Sequence, residues 1–217
     1  MIITSSGAVT LLGASHVRPH DLEESLRLAP CLVAADGGAA TAIAQGRTPE
    51  AVIGDFDSLP DAVRAALPQS SLHLVSEQET TDFEKCLGAI RAPLILALGF
   101  TGRRLDHELA VYNGLAKFPD QRCIVLGSQD IVFLVPPRLG LDLPEGSRFS
   151  LFPLGPVTGR STGLAWPIDG LAFAPAGRIG TSNRVVGPVA LEMDGAEMLA
   201  ILPRAALAEV MRALAAA

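Results

Sequence analysis

Pro49-Glu50-Ala51-Val52-Ile53-Gly54-Asp55-Phe56-Asp57-Ser58 is the stretch on which the reading of this chain turns. Ala51-Val52-Ile53 is a short run of the kind that forms a buried strand. It ends in glycine and is followed at once by two carboxylates, Asp55 and Asp57. On an extended chain, residues i and i+2 share a side. The spacing therefore predicts that both acids face one ligand while Phe56 turns back into the protein. Two neighbouring carboxylates raise each other's pKa unless a positive charge lies between them. Their hard oxygens suit Mg²⁺. The competing reading is a strand end followed by a solvated Asp/Ser turn.

Working outward, the same pattern recurs. Strands are expected at Ala8–Leu12, Cys31–Ala35, Ala51–Ile53, Leu72–Val75, Leu94–Leu98 and Cys123–Leu126. Between them lie helices at Asp21–Leu28 (an N-terminal acid as its cap), Ala39–Gln45 closed by Gly46, about Pro60–Leu67, Thr80–Ile90 and Arg104–Phe118. The strands are continuous apolar runs joined to helices by short links. That combination predicts a mostly parallel sheet covered by helices on both faces. Ligands of such sheets bind at the carboxyl ends of the strands. Gly13, Asp36, Asp55 with Asp57, and Gly99 all fall at those ends.

After Pro136-Pro137 the texture changes to short apolar segments separated by Gly, Pro, Ser and Thr. Phe149–Phe152, Gly163–Trp166, Val185-Val186, Val189–Met193 and Met198–Leu202 suggest a smaller antiparallel β-sandwich, with a terminal helix over Ala205–Ala217. The expected architecture is an α/β domain over residues 1–136 and a β domain over residues 137–217.

Composition limits the function. The 217 residues are 49% hydrophobic and 18% charged, with a formal net charge of −6. This is a globular composition. No Lys/Arg-rich run points to nucleic acid or an anionic membrane as partner. Mean hydropathy is +0.36, yet the apolar runs are strand-sized, well short of the roughly 20 residues of a membrane helix. The N-terminus lacks a basic n-region and a clear cleavage site, so the expected location is cytoplasmic. Cys31, Cys86 and Cys123 are odd in number and widely spaced, as buried thiols would be.

Three further stretches carry chemistry. Asp36-Gly37-Gly38 sets a carboxylate before two glycines at a strand-to-helix junction, where backbone N–H groups can approach a phosphate; an ordinary turn accounts for it equally. Thr81-Asp82-Phe83-Glu84-Lys85 opens a helix. Thr80 or Thr81 with Glu84 reads as a capping box. Asp82 and Lys85, three apart, share a face and could add a third metal ligand and a phosphate contact. Gly99-Phe100-Thr101-Gly102-Arg103-Arg104-Leu105-Asp106-His107 runs from a strand end through a glycine loop into a helix start, an arrangement suited to polyphosphate. It is neither a P-loop nor a dinucleotide fingerprint. His107 reads either as a general base or as a structural histidine. Trp166, the one tryptophan, reads as a packing residue or as a flat wall for an aromatic ligand.

Taken together with Ser161-Thr162-Gly163-Leu164-Ala165-Trp166 and Ser182-Asn183, these motifs resemble the thiamine pyrophosphokinase (thiamine diphosphokinase) family across nearly the whole chain and in the family's order. There are departures. Arg103 stands where a second glycine is common, Val111 where asparagine is usual, and the Gly13-Ala14-Ser15 loop is poorer in glycine.

The resemblance implies transfer of pyrophosphate from ATP to the hydroxyl of thiamine, releasing AMP. It implies Mg²⁺ held by Asp55, Asp57 and Asp82, with Lys85, Arg104 and Asp106 completing the catalytic group. Asp36, Gly37, Gly38, Gly99, Gly102, Arg104 and His107 would line the ATP site. Trp166, Ser182 and Asn183 would contact thiamine, and the active sites would lie at the interface of a homodimer. Two rivals remain at this stage: pyrophosphoryl transfer to another alcohol such as a pterin, and a non-catalytic regulator that binds nucleotide or thiamine.

Overall fold

The computed structural model describes residues 1–216; Ala217, the last residue of the expected terminal helix, lies outside them. Two compact units emerge, Met1–Gly114 with Val125–Gly127, and Leu115–Ile124 with Ser128 onward.

In chain order the first unit contains β1 (Ile3–Thr4), β2 (Val9–Leu12), α1 (Pro19–Leu28), β3 (Cys31–Ala35), α2 (Gly38–Ala44), β4 (Ala51–Gly54), α3 (Asp61–Ala66), β5 (Leu72–Leu74), α4 (Asp82–Ala89), β6 (Ile90–Arg91), β7 (Ile95–Leu98) and most of α5 (Leu105–Lys117). Five strands form a parallel sheet in the order β7-β2-β3-β4-β5. Every residue of β2, β4 and β7 is buried, because helices cover both faces and a strand inside such a sheet has no polar side. β5 is the edge strand, and its Leu74 is 63% exposed.

The helix starts follow local chemistry. α1 begins two residues earlier than expected, since Pro19 is suited to the first helical position. Asp21 is therefore not its cap: it lies in the first turn and accepts Arg18 Nε at 2.7 Å. α4 opens with the expected capping box: Thr81 Oγ1 accepts Glu84 N at 3.3 Å and Glu84 Oε2 accepts Thr81 N at 2.9 Å. The parallel pair β1 and β6 has no counterpart in the sequence reading.

β8 (Cys123–Leu126) is followed by the strands of the second unit: β9 (Asp130–Leu134), β10 (Arg138–Leu141), β11 (Arg148–Pro153), β12 (Gly159–Leu164), β13 (Gly180–Met193) and β14 (Met198–Pro203). The chain then ends in α6 (Leu207–Ala216). The second unit's strands are antiparallel. β13 pairs through Asn183 and Arg184 with β11, which pairs with β14, which pairs with β9. From Val185 onward β13 pairs instead with β12 on one side and β10 on the other. One 14-residue strand thus passes from one sheet to the other, as strands do at the corners of a sandwich. The inner faces bury Phe133, Phe149, Leu151, Leu139, Val189 and Leu191. The mixed α/β class with a smaller antiparallel β unit matches the expectation. The stretches Val185-Val186 and Val189–Met193 are parts of this single strand.

All three thiols are free; Cys86 and Cys123 are buried and Cys31 is half-buried. Burial raises the pKa of each, that of Cys31 to about 11. Among the described residues no helix is long and apolar enough to cross a membrane.

Candidate active site

The carboxyl ends of β2, β3, β4 and β7 surround a cleft of about 440 Å³ in the first unit. It is lined by Gly13, Asp55, Asp57, Asp82, Lys85, Arg103 and Arg104 among others.

Oxygens of Asp36, Asp55 and Asp57 lie within 4.8 Å of one another. The route by which Asp55 and Asp57 meet differs from the expected extended chain. Phe56 has φ 66°, so the segment turns. Asp57 N donates to Asp55 Oδ1 at 3.3 Å, and Ser58 Oγ donates to Asp57 Oδ1 at 2.9 Å. Phe56 does turn inward: it packs half-buried against the cluster of Val52, Leu59 and Leu67, with the Arg64 guanidinium 5.4 Å above its ring.

Asp36 also has a left-handed backbone, φ 39°, a conformation non-glycine residues seldom adopt and one that collects at functional sites. Its side chain lies across the end of β4. A Cβ at Gly54 would sit 2.8 Å from Asp36 Cβ, so only glycine leaves it room there. Asp36 is 1% exposed. Its Oδ2 accepts Ser58 N at 3.2 Å, and its buried Oδ1 has no hydrogen-bond partner. Burial above all pushes its carboxyl up to about 7. The Ser58 N–H opposes the shift, and Asp57 and Asp82 add to it. A buried carboxylate oxygen with no partner, beside two more carboxylates, is a donor set that fits a hard divalent cation.

Asp82 is not among the three that converge. Lys85 stands between it and Asp55: Lys85 Nζ donates to Asp55 Oδ2 at 3.0 Å and to Asp82 Oδ1 at 3.4 Å. The Lys85 side chain is only 3% exposed. Burial works to lower its pKa, but Asp55 and Asp82 reverse this and leave it raised. Lys85 in turn holds the Asp55 carboxyl below its ordinary value. Burial raises that of Asp82 against the pull of Lys85.

The glycines shape the cleft. Gly37 lies against Ser58, and Gly38 against the carbonyl of Leu12, where a side chain would collide. Gly99 (φ 74°) and Gly102 (φ 83°) bound the loop into α5. Gly102 N donates to Glu108 Oε2 at 2.9 Å. Arg104 is exposed and forks onto Asp106 at 2.6 and 3.2 Å, which lowers the Asp106 pKa. His107 is exposed and lines the cleft. Val111 lines it too, and the rings of Phe83 and Phe100 pack edge-to-face 5.0 Å apart.

Trp166, Ser182 and Asn183 lie in the second unit. Trp166 is 61% exposed, so core packing is not its role. The buried Asn183 ties its turn to β13: Trp166 N donates to Asn183 Oδ1 at 3.1 Å, and Asn183 Nδ2 donates to Trp166 O at 2.6 Å. Ser182 (φ 62°) is exposed and its N–H donates to Ser150 Oγ at 3.0 Å.

Three cleft groups were not foreseen. Gln78 Nε2 donates to Asp55 Oδ2 at 3.0 Å, Ser58 N donates to one of the two oxygens of Asp36, and Glu108 anchors the Gly102 loop. Gln78 sits in Ser76-Glu77-Gln78-Glu79-Thr80, a run that reads as solvated loop. Glu108 could have been found from its place in the first turn of α5, four residues before Tyr112, whose hydroxyl it accepts at 2.8 Å.

Comparison with known proteins bears on the same region. Residues 22–126 match the family model "Thiamin pyrophosphokinase, catalytic domain". Thiamine pyrophosphokinase 3 of Oryza sativa subsp. japonica is 33% identical over 156 residues, 63% of this chain and 58% of that protein. Thiamine pyrophosphokinase 1 of Arabidopsis thaliana is 30% identical over 165 residues, 67% and 62%. The chain thus spans about three fifths of the length of these curated relatives. Among solved structures, yeast thiamin pyrophosphokinase superposes with a TM-score of 0.77 at 17% identity, covering 96% of this chain and 89% of that one. The Candida albicans thiamin pyrophosphokinase gives 0.76 at 17%, covering 93% of each. At such identities the likeness is one of fold. The sequence match over the α/β unit and the fold match along almost the whole chain agree with the motifs: in both respects this chain is similar to the thiamine pyrophosphokinases.

Proposed function

We propose that the protein is a thiamine diphosphokinase: it transfers the pyrophosphoryl group of ATP to the hydroxyl of thiamine, yielding thiamine diphosphate and AMP. The observation that carries this is the convergence of Asp36, Asp55 and Asp57 at the carboxyl ends of β3 and β4, within the part of the chain that matches the catalytic-domain model.

Asp36, Asp55 and Asp57 would hold Mg²⁺, with Asp82 close by through Lys85. The bound ion supplies positive charge to the phosphate oxygens as the transition state forms. Lys85 fixes Asp55 and Asp82 in place, so the cluster is organised before substrate arrives. The thiamine hydroxyl oxygen attacks the β-phosphorus, the bond from that phosphorus to the α-phosphate oxygen breaks, and AMP leaves. The hydroxyl proton passes to one of the cleft carboxylates. Arg104 and His107 lie on the nucleotide side. Trp166, with Ser182 beside it, offers a face to the thiamine rings, and Asn183 holds that turn rigid. The working unit is a homodimer with active sites at the subunit interface. A cytoplasmic setting suits three free thiols. Neither transfer to a pterin alcohol nor a non-catalytic binding role gains support from the fold or the relatives.

The test is product formation from ATP, Mg²⁺ and thiamine by the purified protein. AMP and thiamine diphosphate are expected in equal amounts, lost with EDTA, and reduced at least about a hundredfold in Asp57→Ala, a surface change that leaves the fold intact. ADP with thiamine monophosphate, or near-normal turnover in Asp57→Ala, would overturn the reading.

A further inference from the structure

The cations of the cleft are not equally available. Lys85, Arg103, Arg104 and His107 line it. Lys85 is committed to Asp55 and Asp82. Arg104 is committed to Asp106 through both prongs of its guanidinium. Arg103 alone of the three permanent cations has no carboxylate partner among the described residues. It is held in place by its neighbours. Gly102 before it turns with φ 83° and is pinned through its N–H to Glu108, and Arg104 after it is pinned to Asp106.

Charge makes that freedom consequential. Four acids, Asp36, Asp55, Asp57 and Asp82, cluster at the ends of β3 and β4 and the start of α4, with Lys85 as their one internal cation. A polyphosphate meets net negative charge there. It needs a compensating cation elsewhere on the cleft wall, beyond the reach of a metal ion held at the acids. Arg104 can supply one only by giving up its fork onto Asp106. Arg103 gives up only water, and a guanidinium presents several N–H donors in the plane that phosphate oxygens accept.

We propose that Arg103 grips the phosphate tail of the nucleotide and gives the cleft its preference for a triphosphate over a monophosphate. The proposal rests on the pyrophosphokinase reading in taking ATP as the co-substrate. Arg103 stands where the related motif commonly has glycine, so this grip is a feature of this chain's own loop.

The experiment is calorimetric titration of the full chain with α,β-methylene ATP in Mg²⁺, in which the bond that would break is a carbon bridge, and in parallel with AMP. Wild type, Arg103→Gln and Arg103→Lys are compared. Arg103→Gln is expected to bind the analogue about tenfold more weakly and AMP less than about twofold more weakly. Arg103→Lys should recover part of the loss, and added salt should narrow the gap. Melting temperatures should coincide, because Arg103 is exposed. Equal affinity of wild type and Arg103→Gln for the analogue, or an equal loss for AMP, would overturn the proposal. The two readings fail separately. Thiamine diphosphate formed with an unchanged KM for ATP in Arg103→Gln sinks the role of Arg103 and leaves the activity standing. A triphosphate-selective loss of binding in a protein that makes no thiamine diphosphate does the reverse.

Discussion

Asp36 concentrates the chemistry of the cleft in one side chain: a left-handed backbone, a buried oxygen without a partner and a carboxyl raised to about 7, chiefly by burial. A carboxyl whose pKa is higher folded than unfolded holds its proton more tightly in the folded state. Its contribution to stability is complete below the unfolded value, near 4, and is lost as pH rises through about 7. In the absence of divalent metal, Asp36→Asn should therefore gain melting temperature relative to wild type as pH rises from 5 to 8. Excess Mg²⁺ at pH 8 should shrink the gain by stabilising the wild-type carboxylate. Thermal melts across that range check this, and a difference that stays constant with pH would contradict it. At this scale the sequence was only partly readable. Aspartate before two glycines marked the position, but nothing in Asp36-Gly37-Gly38 showed that the acid would be buried under Gly54. Likewise Gly54-Asp55-Phe56-Asp57 carried no sign that Phe56 would turn left-handed, because only glycine announces that conformation in a sequence. The two carboxylates meet as expected, by a turn in place of an extended strand.

Elements were more legible than residues, because periodicity and caps are written locally. The strands β2, β3, β4 and β7 and the helices between them follow from continuous apolar runs and their punctuation. The start of α4 followed from Thr81 and Glu84. That cap positions Asp82 and Lys85, the helix's first and fourth residues. Thr81→Ala should cost about 1 kcal/mol, lowering the melting temperature by roughly 2–4 °C in a protein of this size, with a modest loss of turnover as Lys85 loses its fixed base. A melt indistinguishable from wild type would show that the box does not hold the helix. What local reading missed were elements made by distant partners. β1 and β6 are two residues each and exist because they pair. Gly187-Pro188 read as a break between two strands, whereas β13 continues through it, at the place where its ladder with β12 shifts register.

For the whole molecule, the division of labour is between a unit that carries the acids and a unit that carries Trp166. If the exposed indole is the thiamine platform, Trp166→Ala should raise the KM for thiamine about tenfold while binding of α,β-methylene ATP stays at its wild-type value. An equal loss for both ligands would mean that the substitution damages more than a substrate face. The α/β class and the sandwich character of the second unit could be read from texture alone, since a buried parallel sheet and a turn-rich antiparallel one use different residues. The proposed dimer could not be read that way, because composition does not say which surfaces meet another copy.

Gly180–Met193 gives the second unit its mechanical character. Both sheets share this one strand, so opening it disturbs the ladders of both. A nick in the middle of β13 would separate the β11 pairing from the β10 and β12 pairings in a single event. Hydrogen exchange along its length should accordingly report one opening and not two, and the second unit melts or survives as a piece.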